Sequence, residues 1–398
     1  MLEGDDQPIA KPGEAVLRWN TRTRSIAGIE RELARIWSSV SLATPVDGGE
    51  PERRVAPRSS VMNLVVIAGR SEVGERIASI VDGLTGRHPS RTLLVSQADP
   101  DGPPWLDAQV QAHCMLPRDG AAEVCAELVY LTAGGQSGQH LAGVVSPLLI
   151  HDLPVTIWWP GEPRLDTPQT ADLLDLADRV LVDGSMWSGD GLARLVGMSR
   201  LPRRFKIAIA DFAMLRQSRW REAIASTFDR PALLPFLTGI REVTVTYAAG
   251  EGSAGAANVV KPLYHVAWLA SRLRMTVAEP LVGRNAEWGG YDAELHHGRR
   301  IITVALRARV SAAPPGTTLS VHVVAERARK KLKIDVTAQA EGVTVRANLD
   351  GRDMPERHFL APRRKESELL AETIEGVADD RISASALEMA AALIEGRG

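Results

Sequence analysis

A chain of 398 residues exceeds what one ordinary hydrophobic core supports and implies two domains. Its 47 basic and 49 acidic side chains leave a net charge of −2, which argues against the broad basic surface of a nucleic-acid binder, and its 44% hydrophobic content is ordinary for a globular protein. No apolar run approaches the roughly 20 residues that cross a bilayer, and Met1 to Pro8 is acidic and polar, so a cytoplasmic protein without a membrane partner is expected.

In chain order, Ile26, Ile29, Leu33, Ile36 and Trp37 recur at helical spacing, which predicts an amphipathic helix over Ser25 to Val40. A Pro, Gly and Glu-rich linker follows, Val46 to Arg58, and closes a first region, 1–58. Val61 to Ala68 reads as an apolar strand, Ser71 to Leu84 as a helix capped by Ser71, and Arg91 to Val95 as a second strand. Val110, Ala112 and Cys114 alternate with Gln111 and His113 in the manner of a half-exposed edge strand, and Asp119 to Tyr130 reads as a helix. Gly134 to Gly138 forms a glycine-rich turn before an apolar helix ending at Ile150. It matches neither a P-loop nor GxGxxG, so a plain loop is expected rather than a phosphate cradle.

Leu149 to Ser185 is the most legible stretch. The β-branched and aromatic run Leu153 to Trp159 stops at Pro160-Gly161-Glu162-Pro163, a helix covers Thr170 to Ala177, and Arg179 to Val182 is a second apolar run. Two near-continuous apolar strands joined through a helix predict a right-handed, parallel βαβ unit. A helix over Trp187 to Val196, a strand over Lys206 to Ala210, a helix over Arg216 to Phe228 and a strand over Val243 to Tyr247 follow, up to a small-residue break at Gly250 to Ala257. Residues 59–250 are therefore expected to form an α/β domain, doubly wound, with a mostly parallel sheet and helices on both faces. After a helix over Lys261 to Met275, the β-rich runs Ile301 to Val310, Thr318 to Ala325, Leu332 to Ala338 and Val343 to Leu349 predict an antiparallel meander. Two terminal helices, Glu366 to Gly376 and Ser383 to Glu395, complete a smaller α+β half over 259–398.

Open parallel sheets bind ligands at the carboxyl ends of their strands, where Glu162, Asp183 and Asp211 fall. The three could hold a divalent metal or act as acid and base; equally, Asp183 and Asp211 could cap the helices that begin just after them, with Glu162 exposed on its loop. The adjacent His296 and His297 point to opposite faces of a strand and cannot chelate one ion together. No nucleophile elbow, HExxH or kinase set is present, so no catalytic residue, metal or cofactor is assigned. The only two cysteines, Cys114 and Cys125, are too few for a disulfide framework and too widely spaced for a CxxC motif and are expected to be buried or inert thiols. In Trp158-Trp159-Pro160-Gly161-Glu162-Pro163, successive strand side chains face opposite ways. A regular strand sends at most one indole to a given face, and the other either meets a helix layer or anchors a partner.

The block Leu153-Pro154-Val155 through Trp158-Trp159-Pro160-Gly161-Glu162-Pro163, with Leu176-Ala177-Asp178-Arg179-Val180-Leu181-Val182-Asp183, resembles the OpcA family, the glucose-6-phosphate dehydrogenase assembly proteins. His88-Pro89-Ser90-Arg91, Arg219-Trp220-Arg221-Glu222-Ala223, Trp268 to Leu273 and Glu366 to Leu370 extend the resemblance along nearly the whole chain. It implies a non-catalytic protein that binds glucose-6-phosphate dehydrogenase and promotes its active oligomer or its affinity for glucose 6-phosphate. The alternative is a sugar-phosphate or metal-binding α/β enzyme using Glu162, Asp183 and Asp211. Cyanobacterial members are linked to redox control through cysteines toward the C-terminal end, whereas no cysteine follows Cys125 here. Cys114 and Cys125 could pair only where the fold brings their Cα atoms within about 7 Å.

Overall fold

The computed structural model describes residues 15–38, 60–68, 76–77, 79–80, 83–84, 88–99, 101–115, 124–250, 257–284 and 289–396. The chain divides into two compact units, Met1–Leu181 with Glu366–Ala371, and Val182–Lys365 with Glu372–Gly398. The linker expected over 46–58 and most of the helix expected over 71–84 lie outside the described residues, as does most of the break at 250–257.

The first unit contains β1 (Ala15–Thr23), α1 (Ile26–Ser38), β2 (Met62–Ala68), β3 (Ser90–Gln97), β4 (Trp105–Met115) and β5 (Val124–Gly134). The short helices α2 (Gly135–Gln139) and α3 (Leu141–Val145) follow, then β6 (Val155–Trp159), α4 (Pro168–Leu174) and β7 (Arg179–Val182), whose last residue opens the second unit. The strands run in the order β1-β4-β5-β3-β2-β6-β7. β2 is parallel to β3 and β6, and β3 to β5, while β4 is antiparallel to β1 and β5. All five residues of β6 are buried, which explains a strand without polar alternation.

Two expectations change here. Val124–Gly134 is a strand where the sequence suggested a helix: β5 is paired on both sides and buried on both faces, so the two-residue period that marks a strand is lost. β4 is no edge, because β1 covers its other side. β1, with Arg, Asn and Thr interleaved, gave no periodic signal. The hairpin of β4 and β5 also places Cys114 directly opposite Cys125, with their Cα atoms 4.0 Å apart and a disulfide between them. They are not free thiols.

The second unit contains α5 (Leu192–Phe205), β8 (Ala208–Asp211), α6 (Phe212–Leu215), α7 (Ser218–Phe228), β9 (Ile240–Ala249), α8 (Val260–Arg272), β10 (Thr276–Gly283) and β11 (Gly290–His297). β12 (Arg300–Val310), β13 (Thr318–Arg327), β14 (Lys330–Gln339), β15 (Gly342–Leu349), β16 (Arg352–Asp353) and β17 (Arg357–Leu360) follow. α9 (Glu366–Glu375), shared between the units, and α10 (Val377–Glu395) end the chain's described elements. The sheet order is β10-β11-β12-β9-β13-β14-β15-β16, with β17 also on β15. Only β9 with β12 is a parallel pair; the expected meander over β13 to β15 is antiparallel.

β9 departs from the expected boundary between 250 and 259. It lies inside the nine-stranded sheet, between β12 and β13, and therefore in the second unit, because its partners come from far downstream. One face of this sheet carries Val243, Val245, Ile302, Val304, Val321 and Ile334, all buried, and α8 packs against β9, β12 and β13. Every second residue faces the other way. Among the described residues no helix is long and apolar enough to cross a membrane.

Candidate functional site

Of the three acids at strand ends, Asp183 and Asp211 come together in the second unit. Asp183 follows β7 directly; its Oδ1 accepts from Ser185 N at 3.2 Å and from Ser185 Oγ at 2.6 Å, and its Oδ2 accepts from Arg216 at 2.5 Å. Asp211 ends β8 and caps α6: its Oδ1 accepts from Ala213 N and Gly184 N, both at 2.8 Å, and its Oδ2 accepts from Tyr264 Oη at 3.0 Å. Gly184 has to be glycine, because a Cβ there would stand 2.6 Å from an Asp211 oxygen. Asn258 adds a third tie, donating to Gly184 O at 2.8 Å and Trp187 O at 3.1 Å while accepting from Val260 N.

All four oxygens of this buried carboxyl pair accept hydrogen bonds from the protein. Chemically the arrangement is a clamp that fastens the turn after β7 to the start of α6 and to α8. It is the capping role, and the residues do not form an open ligand shell. Burial raises the Asp211 carboxyl to about 7, and the charge of Asp183 pushes it the same way, against the hydrogen bonds from Gly184, Ala213 and Tyr264. Burial also lowers the Lys261 ammonium below its ordinary value, with Asp183 opposing. Glu162 is exposed on its loop in the first unit. Among the described residues no three His, Cys, Asp or Glu side chains are grouped to hold a metal ion.

The raised Asp211 pKa has a signed consequence. The folded state holds this proton more tightly than the unfolded chain, so its stabilising contribution is complete below the ordinary value of 3.8 and is lost as pH rises through about 7. Asp211→Asn keeps an acceptor for Gly184 and Ala213 and is expected to flatten the fall in unfolding free energy between those pH values. Urea titrations at stepped pH check this; an unchanged slope would assign the titration to another group.

The tryptophan stretch is resolved differently from a surface anchor. Trp158 is fully buried and Trp159 is 6% exposed, because β6 is covered on both faces. Pro160 and Pro163 are also buried, which leaves Gly161 and Glu162 as the exposed tip. In the glycine-rich turn, Gly135 adopts φ +55 and a Cβ there would lie 2.2 Å from Gly102 O, while its N–H donates to Asp99 O at 2.8 Å. Close backbone approach explains the glycine. His296 and His297 sit on β11, as expected of adjacent strand residues.

Sequence reading missed a polar constellation inside the first unit. Arg91 on β3 and Glu127 on β5 are direct cross-strand partners, and the buried Glu127 carboxylate accepts from Arg91 Nε on one oxygen and from Trp37 Nε1 on the other. Arg91 also donates to Leu148 O at 2.8 Å. The pair fastens α1 to the sheet. The available signal was a lone carboxylate inside the apolar run Val124 to Leu131.

A parallel-rich α/β unit and a second unit built on a mostly antiparallel sheet define a two-part α/β protein in which Asp183 and Asp211 serve as caps. Residues 81–198 match the family model described as the glucose-6-phosphate dehydrogenase subunit N-terminal domain, and residues 207–387 match the corresponding C-terminal domain. The chain belongs to the OpcA family. The OxPP cycle protein OpcA of Synechocystis sp. is 27% identical over 204 residues, 50% of this chain and 40% of that protein. The protein of the same name from Nostoc punctiforme is 27% identical over 234 residues, 58% of this chain and 46% of that protein. The matches thus span less than half the length of these relatives. Among solved structures, the WlbA (WbpB) dehydrogenase of Thermus thermophilus in complex with NAD and alpha-ketoglutarate shows 14% identity and a TM-score of 0.42 over 83% of this chain and 94% of that one.

Proposed function

We propose that this chain is a non-catalytic assembly factor, cytoplasmic in location, that binds glucose-6-phosphate dehydrogenase and favours its active, substrate-competent state. The observation that carries this reading is the match, in order and over most of the chain, to the two domains of one glucose-6-phosphate dehydrogenase subunit family. The engagement of Asp183 and Asp211 as caps supports a non-catalytic role, since it commits to internal hydrogen bonds two of the three carboxylates that the alternative of a metal or sugar-phosphate enzyme would use. Within the tryptophan stretch, the exposed Gly161 and Glu162 are the part that reaches a partner.

Activation of this kind needs only differential affinity. A chain that binds the competent state of the dehydrogenase more tightly than the slack state shifts the population by that difference. About 1.4 kcal/mol of coupling gives a tenfold change in substrate affinity, and by reciprocity glucose 6-phosphate tightens the binding of this chain by the same factor. The test is the saturation curve of the cognate dehydrogenase for glucose 6-phosphate at increasing ratios of this chain. A saturable fall in half-saturation concentration, or a rise in maximal rate, is expected; binding that changes neither would reduce the chain to a structural subunit, and no binding would remove the reading.

A further inference from the structure

We propose that the end of the nine-stranded sheet formed by the β11–β12 and β13–β14 turns docks an acidic patch on the surface of the dehydrogenase. The proposal rests on the reading above and adds a contact in the second unit to the Gly161 and Glu162 tip of the first. Strand pairing fixes which residues share that end: His297 faces Arg300 across the β11–β12 turn, Ala325 pairs with Ile240 at the start of β9, and Arg327 faces Lys330 across the β13–β14 turn. One short segment ties both turns down. Arg300 donates to Thr238 O, and Arg327 to Pro235 O at 2.8 Å and Thr238 Oγ1 at 3.2 Å.

The turns carry Arg299, Arg300, Arg327, Arg329, Lys330 and Lys331, and Arg241 stands between them on β9; all are exposed except the half-buried Arg300. Sheet order separates the two turns by three strand spacings of about 4.8 Å, about 14 Å in all. Seven cations therefore crowd one place in a chain whose net charge is −2. Within the turns Glu326 is the single carboxylate, 3.8 Å from Arg241, and among the described residues Arg299, Arg329, Lys330 and Lys331 make no ion pair. Acids resume only around the patch, with Asp350 and Asp353 on the β15–β16 turn and Glu242 and Glu294 on the open face of the sheet. Charges this close lie within one or two screening lengths of each other, about 8 Å at cellular salt, so their fields add and draw an anionic surface.

The turn chemistry is an independent sign. Ala328 and Arg329 close the two-residue β13–β14 loop at φ +49 and +62, a geometry that favours Asn-Gly and Asp-Gly. Neighbouring turns use glycine where φ is positive, Gly298 at +63 and Gly351 at +85, the second in an Asp-Gly pair. An arginine kept in a backbone conformation that disfavours it points to its charge as the reason.

Two aliphatic side chains select a protein as the occupant. Leu234, 55% exposed, precedes Pro235, and Ile301, 51% exposed, follows Arg300. Apolar side chains bordered by cations match the apolar centre and polar rim of a protein interface. A single-stranded nucleic acid calls for exposed aromatic rings on which bases stack, and among the described residues no Phe, Tyr or Trp is exposed at this end. Two aliphatics on separate segments also fall short of the continuous apolar face that lies in a membrane surface.

Binding of the full chain to the cognate dehydrogenase, measured by titration, tests this. R329E/K330E is expected to weaken binding tenfold or more, and raising salt from about 0.1 to about 0.5 M to weaken the wild type far more than that variant. A328N/R329G installs the pair that the turn prefers, so it is expected to raise the thermal midpoint while weakening binding severalfold, which separates a lost contact from a lost fold. An R329E/K330E variant that binds as the wild type does overturns the proposal and leaves the activator reading standing. A wild type that does not bind the dehydrogenase removes that reading and this contact with it. Tighter binding of the wild type to oligonucleotides or to phosphatidylglycerol vesicles than to the dehydrogenase overturns the proposal as well.

Discussion

Trp158→Ala is expected to destabilise the protein by about 3–5 kcal/mol, enough to unfold a marginal domain, rather than to weaken a partner contact. The indole is fully buried in a strand whose every residue is buried, and it stands in register with Val66 on the neighbouring parallel strand. Truncation removes the largest side chain of that layer and leaves a cavity which close-packed neighbours fill only in part. Urea denaturation reads the effect as a fall in midpoint at unchanged slope. A variant that keeps its midpoint and loses affinity for the dehydrogenase would return Trp158 to the surface.

Removing one partner of the Arg91 and Glu127 pair ranks beside it. Glu127→Ala leaves a buried guanidinium without its counter-charge and the Trp37 N–H without its acceptor, so a loss of about 3–5 kcal/mol is expected. The double substitution Arg91→Met with Glu127→Leu removes both desolvated charges and should recover most of that loss, because a buried ion pair and an apolar pair of similar volume are often close in stability. Denaturation of Arg91→Met, of Glu127→Leu and of the double variant forms a cycle; a double variant as weak as the sum of those singles would mean that the pair is not coupled.

How much of this was legible in the sequence depends on the range of the interaction. The βαβ stretch from Leu153 to Val182 was readable because strand, loop and helix signals are local, and the caps at Asp183 and Asp211 because a cap touches residues two positions on. β5 was not, since a strand buried on both faces reads like a buried helix. That one misreading hid two others: without the hairpin, nothing placed Cys114 opposite Cys125, and without β5 beside β3, nothing placed Glu127 opposite Arg91. Trp158 and Trp159 were both compatible with core and with partner, and only the coverage of β6 on both faces decides for core.

The position of β9 bears on how the protein is made. Its two neighbours are encoded downstream, the parallel partner of Val243 about 60 residues later at Val304 and the antiparallel one about 80 later at Val323. At a synthesis rate of about 5–20 residues per second, β9 leaves the ribosome roughly 4–16 seconds before both partners exist. For that interval the alternate Val243, Val245 and Tyr247 leave an apolar segment with neither of its strand partners, the kind of exposure that a chaperone shields.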